Sequence, residues 1–294
     1  MSAGLFVKFW GTRGSIPTPG PRTQRYGGNT SCVEVRFADT VLICDGGTGL
    51  RELGMDLLRR ADGKPLTLHL FFSHPHWDHI QGFPFFGPAY AAEHTLYVYG
   101  EDDKLHQLLS GQMQSAYFPV NFAELKARVL PRVFEGGSVI IDGAEVRLFS
   151  QEHPGGSIGL VFSRAGKKVV YSTDNELDRF LLDPSLPTTR PEALRTLPQK
   201  LIDAAQGADL LIADGQYDDE EYLRKPGWGH ARASTAVDFA VQCGAKQLAI
   251  FHHDPMQSDR DVDAKVAACA ERALKLGSPL KVLGAREGVE IKIG

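Results

Sequence analysis

The chain has 294 residues, 43% of them hydrophobic, which is ample for a sizeable core, and a formal net charge of −4. That balance gives no general electrostatic case for nucleic acid, and no apolar run approaches the length needed to span a bilayer. The four cysteines, Cys32, Cys44, Cys243 and Cys269, form no Cys-x-x-Cys pair and read as buried thiols in a reducing compartment. The N-terminus carries no cationic, apolar leader pattern, so a cytoplasmic protein with one domain over residues 1–294 is expected.

In chain order, apolar or alternating runs predict strands at 5–10, 32–37, 41–44, 66–72, 95–98, 138–141, 144–150, 157–163, 168–172, 210–213, 247–251, 280–283 and 289–293. Turn signals such as Asp142-Gly143 and Ala165-Gly166 join several of them. Helices are expected at 50–60, 102–110, 198–205, 234–242 and 260–276. The helix at 234–242 would take Ser234 or Thr235 as its N-cap and stop at Gly244. The last helix carries Val262, Val266, Ala267, Ala270 and Leu274 as an apolar stripe, expected to be core. The Pro-rich stretch 183–198 reads as a surface loop. The glycine-rich start, Gly11 to Gly20, has the wrong spacing for a nucleotide-binding loop.

The motif His74-Pro75-His76-Trp77-Asp78-His79 directly follows the apolar strand at 66–72. Imidazole and carboxylate are ligands that Zn²⁺, Mn²⁺ and Fe²⁺ share. A strand ending in such a cluster places its ligands on a loop at the sheet edge. The spacing suits two metals better than one, and two metals need further ligands. His153, Asp174 and His252 are the candidates, each at the end of an apolar or β-branched run.

With these motifs assembled, from Gly11-Thr12-Arg13-Gly14 to the last strand, the chain resembles the metallo-β-lactamase superfamily, and most of all its phosphodiesterase branch. That branch includes ribonuclease Z and small cyclic-phosphate and cyclic-nucleotide phosphodiesterases. The resemblance implies an α/β fold, a four-layer αβ/βα sandwich. It implies two divalent ions, Zn²⁺ first and Mn²⁺ second: one on His74, His76 and His153, the other on Asp78, His79 and His252, with Asp174 bridging. Asp45, in Asp45-Gly46-Gly47-Thr48-Gly49, matches the branch's first acidic motif, a residue that orients a ligand His. It also reads as a turn or capping Asp. Asp78 is counted with the catalytic residues as well as the ligands. Of the pair at the end of the 247–251 strand, the family ligand falls on His252, and alternation turns His253 elsewhere, supporting a ligand or facing substrate.

His230 precedes a helix where the branch places a proton donor to the leaving oxygen. Lactonases and thioester hydrolases of the superfamily usually lack this His. A His near a helix start is otherwise an ordinary surface residue. Ser157, His253 and Tyr117 are the candidate substrate contacts, and Lys225 and Arg232 flank His230 where they could steer a phosphate. Tyr117 lies in an aromatic stretch, 111–122, that reads as a loop packed on the core or as a lid or dimer contact. The leading expectation is hydrolysis of a small cyclic phosphate, a 3′,5′-cyclic nucleotide, by a homodimer, with no membrane partner and nucleic acid disfavoured. The long basic-tipped arm with which ribonuclease Z holds tRNA is not obvious in the sequence. The alternatives are a ribonuclease Z-like endonuclease on structured RNA and a lactone or thioester hydrolase.

Overall fold

The computed structural model describes residues 4–101 and 104–294. In chain order the strands are β1 (Leu5–Gly11), β2 (Cys32–Phe37), β3 (Thr40–Cys44), β4 (Thr67–Phe71), β5 (Thr95–Gly100), β6 (Arg128–Val133), β7 (Ser138–Ile141), β8 (Ala144–Gln151), β9 (Ser157–Arg164), β10 (Lys167–Ser172), β11 (Leu210–Asp214), β12 (Gln247–Phe251), β13 (Lys281–Gly284) and β14 (Glu290–Ile293). The helices are α1 (Gly49–Ala61), α2 (Trp77–Ile80), α3 (Lys104–Gly111), α4 (Leu186–Thr189), α5 (Gln199–Ala205), α6 (Asp219–Leu223), α7 (Ala233–Gln242) and α8 (Asp259–Lys275). The helix expected from residue 102 is observed from Lys104; positions 102 and 103 lie outside the described residues.

The chain divides into two compact units. The described parts of Met1–Pro19, Gly27–Gly136 and Arg286–Gly294 form the first, and Gly20–Tyr26 with Gly137–Ala285 forms the second. Each unit holds one seven-stranded sheet, ordered β14-β1-β2-β3-β4-β5-β6 in the first and β13-β12-β11-β10-β9-β8-β7 in the second. Both sheets are mixed in the same way. In the first, β14, β1, β2 and β3 pair antiparallel, and β3 to β6 pair parallel. In the second, β7 to β10 pair antiparallel and β10 to β13 parallel.

The parallel strands read as near-continuous apolar runs because both their faces are covered. Every residue of β11 is buried, and so are the last four of β4 and of β12. In the first unit α1 packs Leu50, Leu53 and Leu57 against Leu68 and Leu70 of β4 and against Phe83 and Phe86. In the second, α7 packs Ala236, Val237, Phe239 and Ala240 against Leu211, Leu248 and Ile250. In open parallel sheets, loops leaving the carboxyl ends of the strands are where ligands bind. Asp45, His74, Asp174, Asp214 and His252 all stand at or just beyond such ends.

Several expectations need correction. β6 was not expected: its Pro131 argues against a strand, and it is tolerated because β6 is an edge strand. α7 begins at Ala233, with Arg232 in the N-cap position and no side-chain cap. Ser234 and Thr235 instead donate to Asp219 and Asp178. The stretch 183–198 contains α4 and buries Leu186, Arg195 and Leu197, so it is not simply a surface loop. On α8 the buried face is Val262, Lys265, Cys269 and Ala273, while Ala267 and Leu274 are exposed. All four cysteines are free and buried, as expected.

Candidate metal centre

In the first unit the site is built around Asp45. β3 delivers it, and its backbone N–H donates to the Phe71 carbonyl of the neighbouring strand. One Asp45 oxygen accepts from the Ser73 N–H at 2.7 Å, and the other lies 2.8 Å from His79 Nδ1. The Ser73 hydroxyl is within 3.1 Å of both Asp45 oxygens and 3.0 Å from His74 Nδ1. A hydroxyl carries one proton. Since Ser73 gives it to Asp45, His74 Nδ1 must donate to Ser73. One carboxylate thus sets the ring of His79 directly and that of His74 through Ser73. The His74 ring lies 4.5 Å from His76 and 4.3 Å from His79, centroid to centroid. Asp78 accepts from the Ser15 N–H at 2.8 Å and stands 3.3 Å from His79 Nε2. This folding needs backbone contact. A Cβ on Gly47 would lie 2.4 Å from the Asp78 carbonyl, and one on Gly82 1.9 Å from the Gly47 carbonyl.

In the second unit Asp174 is the hub. Its Oδ1 lies 3.1 Å from His252 Nε2 and its Oδ2 3.5 Å from His153 Nε2. Both imidazoles have their other nitrogen committed. His153 Nδ1 donates to the Gly229 carbonyl at 2.8 Å, and His252 Nδ1 to Gln216 Oε1 at 3.0 Å. Asp214 closes β11 fully buried and accepts from His230 Nδ1 at 2.8 Å. The His230 ring stacks on that of His252 with centroids 4.9 Å apart. Ligand-type atoms of Asp174, Asp214, His230 and His252 lie within 4.8 Å of one another.

These tautomers fit a metal. With Nδ1 as donor, each of His74, His79, His153 and His252 keeps its lone pair on Nε2. For His79, His153 and His252 that lone pair faces a carboxylate oxygen at 3.1–3.5 Å, an arrangement repulsive unless a cation or proton lies between. Ligand atoms about 2.0–2.1 Å from one tetrahedral ion are separated by about 3.3 Å. Hydrogen bonds to the far nitrogen are what fix metal-binding imidazoles in other proteins. The thiols do not compete: burial first, and then the Asp45 carboxylate, pushes Cys44 well up from its ordinary value, so it stays protonated.

The remaining candidates are placed as follows. His253 is fully buried and carries the opposite tautomer. Its Nε2 donates to the Ala285 carbonyl at 2.9 Å and its ring meets Tyr26 edge-on. It is a packing residue, not a substrate contact. Ser157, the first residue of β9, is buried and accepts from Gln151 Nε2 at 3.0 Å. Tyr117 is 77% exposed, beyond α3. Its neighbour Phe118 meets Phe85 edge-to-face at 5.3 Å. Lys225 and Arg232 are paired, with Asp254 at 2.9 Å and with Asp178 at 2.6 Å, and Arg232 is buried. Gly155 and Gly156 adopt φ near +86° in a tight turn closed by the Gly156 N–H on the His153 carbonyl. Sequence reasoning missed Ser73, Asp214, Gln216 and Glu176. Asp214 had a usable signal, since it ends an apolar strand just as Asp45 and Asp174 follow theirs.

Residues 40–253 match the beta-lactamase superfamily domain, well over half of the chain. The ribonuclease Z of Haloarcula marismortui is 27% identical over 84% of this chain and 85% of its own length. Among solved structures, the metallo-beta-lactamase fold protein YhfI from Bacillus subtilis aligns over 99% of both chains, with a TM-score of 0.68 and 18% identity. The short form of human tRNase Z aligns over 98% of this chain and 99% of its own, with a TM-score of 0.62 and 18% identity. The two mixed sheets, the His/Asp clusters at the ends of their strands and these matches agree: the chain belongs to the metallo-β-lactamase superfamily and is a metal-dependent hydrolase of the phosphodiesterase type.

Proposed function

We propose that the chain is a ribonuclease Z-like phosphodiesterase that cuts structured RNA, its 294 residues acting as one hydrolase domain. In this reading His74, His76, Asp78, His79, His153, Asp174 and His252 are the ligands of two divalent ions. Zn²⁺ is preferred, with Mn²⁺ second. Seven ligands exceed what one tetrahedral zinc can use. When bound, the ions supply Lewis-acid charge at the phosphate and activate water. The rest falls to the chain. His230, its Nδ1 held by Asp214, presents Nε2 to the departing oxygen and can give it a proton. Asp214 fixes the ring's tautomer and orientation.

The observation that carries the reading is the His230–Asp214 pair beside Asp174, because a leaving alkoxide needs a proton donor. The likeness to ribonuclease Z over most of the chain supports RNA over the small cyclic phosphate that the charge balance suggested. Cleavage of a 3′,5′-cyclic nucleotide is the second reading. The net charge of −4 and the exposed Tyr117 favour it. A homodimer belongs to both readings. The test is kcat/KM for a precursor tRNA and for a cyclic nucleotide, each at low and moderate salt. RNA affinity drawn from phosphate neutralisation falls steeply with salt. Faster RNA cleavage with a steep slope is expected. Faster cyclic-nucleotide hydrolysis with a flat slope would overturn the RNA reading in favour of the second.

A further inference from the structure

Glu176 is not a ligand candidate, yet it is only 1% exposed and accepts three hydrogen bonds. Its Oε1 takes the Tyr222 hydroxyl and the Gly227 N–H, each at 2.7 Å. Its Oε2 takes the Gly229 N–H at 2.8 Å. Its own backbone N–H donates to the Glu152 carbonyl at 2.8 Å, and the Asn175 side chain accepts from the Glu152 N–H. The segment after Asp174 therefore grips two loops at once, one ahead of His153 and one ahead of His230.

The second grip is the tighter. Gly227 and Gly229 both have φ well above zero, +84° and +88°. A Cβ on Gly229 would lie 2.2 Å from His153 Nδ1, so the loop is pressed onto that imidazole. The Gly229 carbonyl is the acceptor that fixes the His153 tautomer. A buried backbone N–H needs an acceptor, and only an acceptor-only group with two oxygens serves both glycines and the phenol. Charge-assisted bonds of this kind are the stronger sort.

We infer that Glu176 is a positioning residue: through the amides of Gly227 and Gly229 it sets the orientation of the His153 ring and the place of His230. The inference rests on the reading of His153 as a metal ligand and His230 as a proton donor. It does not depend on which phosphodiester is cut.

The test compares Glu176→Gln with Tyr222→Phe in the full chain. Glutamine keeps the shape but turns an N–H₂ group toward an N–H donor. Zn²⁺ titrated into the metal-free protein should bind Glu176→Gln about 10–100-fold more weakly, the usual cost of losing a partner that orients a ligand. The His153 Nδ1–H signal in the nitrogen-edited NMR spectrum should disappear, and kcat should fall more than KM rises. Tyr222→Phe, which releases only α6, should bind Zn²⁺ as the parent does. In the parent itself the Gly227 and Gly229 amides should exchange slowly, and the Gly229 amide and the His153 ring proton should shift together when Zn²⁺ is added. Unchanged Zn²⁺ affinity and an intact His153 signal in Glu176→Gln overturn the inference. If that variant does not fold, the parent decides: a fast-exchanging Gly229 amide, or one indifferent to Zn²⁺, overturns it equally. Inactivity on every phosphodiester would remove the proposed reaction and leave the binding and NMR results standing.

Discussion

His230 gives its Nδ1 proton to Asp214, so any proton it passes to a substrate leaves from Nε2. His230→Ala should therefore keep its metal content and fold while kcat falls by roughly 10²–10⁴, the range for a lost general acid. A p-nitrophenyl phosphodiester, whose leaving group needs no proton, should lose much less. Equal losses on the two substrates would show that His230 does something other than donate. Residues of this kind divide by how legible they are. His74, His76, Asp78 and His79 stand out as candidates because side chains of metal-ligand type crowd one strand end. His153, Asp174 and His252 stand out as candidates because each ends an apolar run. Ser73, Gln216 and Glu176 act by holding another side chain or loop, and that partnership exists only across the fold. Gln216 and its partner His252, a candidate ligand, are far apart in sequence yet 3.0 Å apart in space. His253 shows the converse: adjacency to a candidate ligand says nothing of role when the next side chain turns into the core.

Among the elements, α8 is the most instructive. A hydrophobic stripe located the helix but misjudged its buried face, because one buried position is a lysine. Lys265 reaches the Gln216 carbonyl at 2.9 Å and Gln257 Oε1 at 2.8 Å, and those acceptors allow its ammonium inside. Burial lowers its pKa from 10.5 to about 8. Below about pH 8 the ammonium is charged in both states, and burying it costs about 3 kcal/mol, the shift converted at 1.36 kcal/mol per unit. Between about 8 and 10.5 the unfolded chain binds the extra proton, so stability rises with pH there. Urea unfolding of the parent and of Lys265→Met should show it. The parent should gain up to about 3 kcal/mol on the variant from pH 7 to 10.5. A difference constant across that window would mean the group does not titrate as its burial requires. Short or edge elements escaped for other reasons. β6 hides behind Pro131. α6 is one turn long, though its Asp218/Glu221 capping box is a signature in plain sequence.

For the molecule as a whole, strand order was the least legible property. The strands fall in two blocks along the sequence, yet β14, the last, pairs with β1 and completes the first sheet. Nothing local in Glu290–Ile293 announces that partner, because pairing over such a distance is fixed by the assembled sheet, whose edge β14 forms, rather than by the strand. The fold class was legible because the buried parallel strands read as apolar runs whose polar ends recur. Metal should bind this structure and not the unfolded chain, so it should stabilise by mass action. Metal analysis of the saturated protein should give two ions per chain, and chelation should lower Tm and lift it again on Zn²⁺ addition. One ion at saturation, or a Tm indifferent to chelator, would count against the seven-ligand assignment.

Asp45, Asp174 and His252 share one backbone feature: φ of +61°, +48° and +59° in residues that are not glycine. The left-handed region costs an L-residue roughly 1–2 kcal/mol, less for aspartate, whose side chain bonds locally, than for histidine. Together that is a sizeable part of the roughly 5–15 kcal/mol that holds a typical domain folded. Glycine or asparagine would sit there more comfortably, and neither would do the chemistry proposed for these positions. The turn out of each of these strands is thus a place where selection for a stable chain and selection for a working one pull in opposite directions. A lineage freed from the reaction could settle into a firmer fold by discarding the side chains that define it.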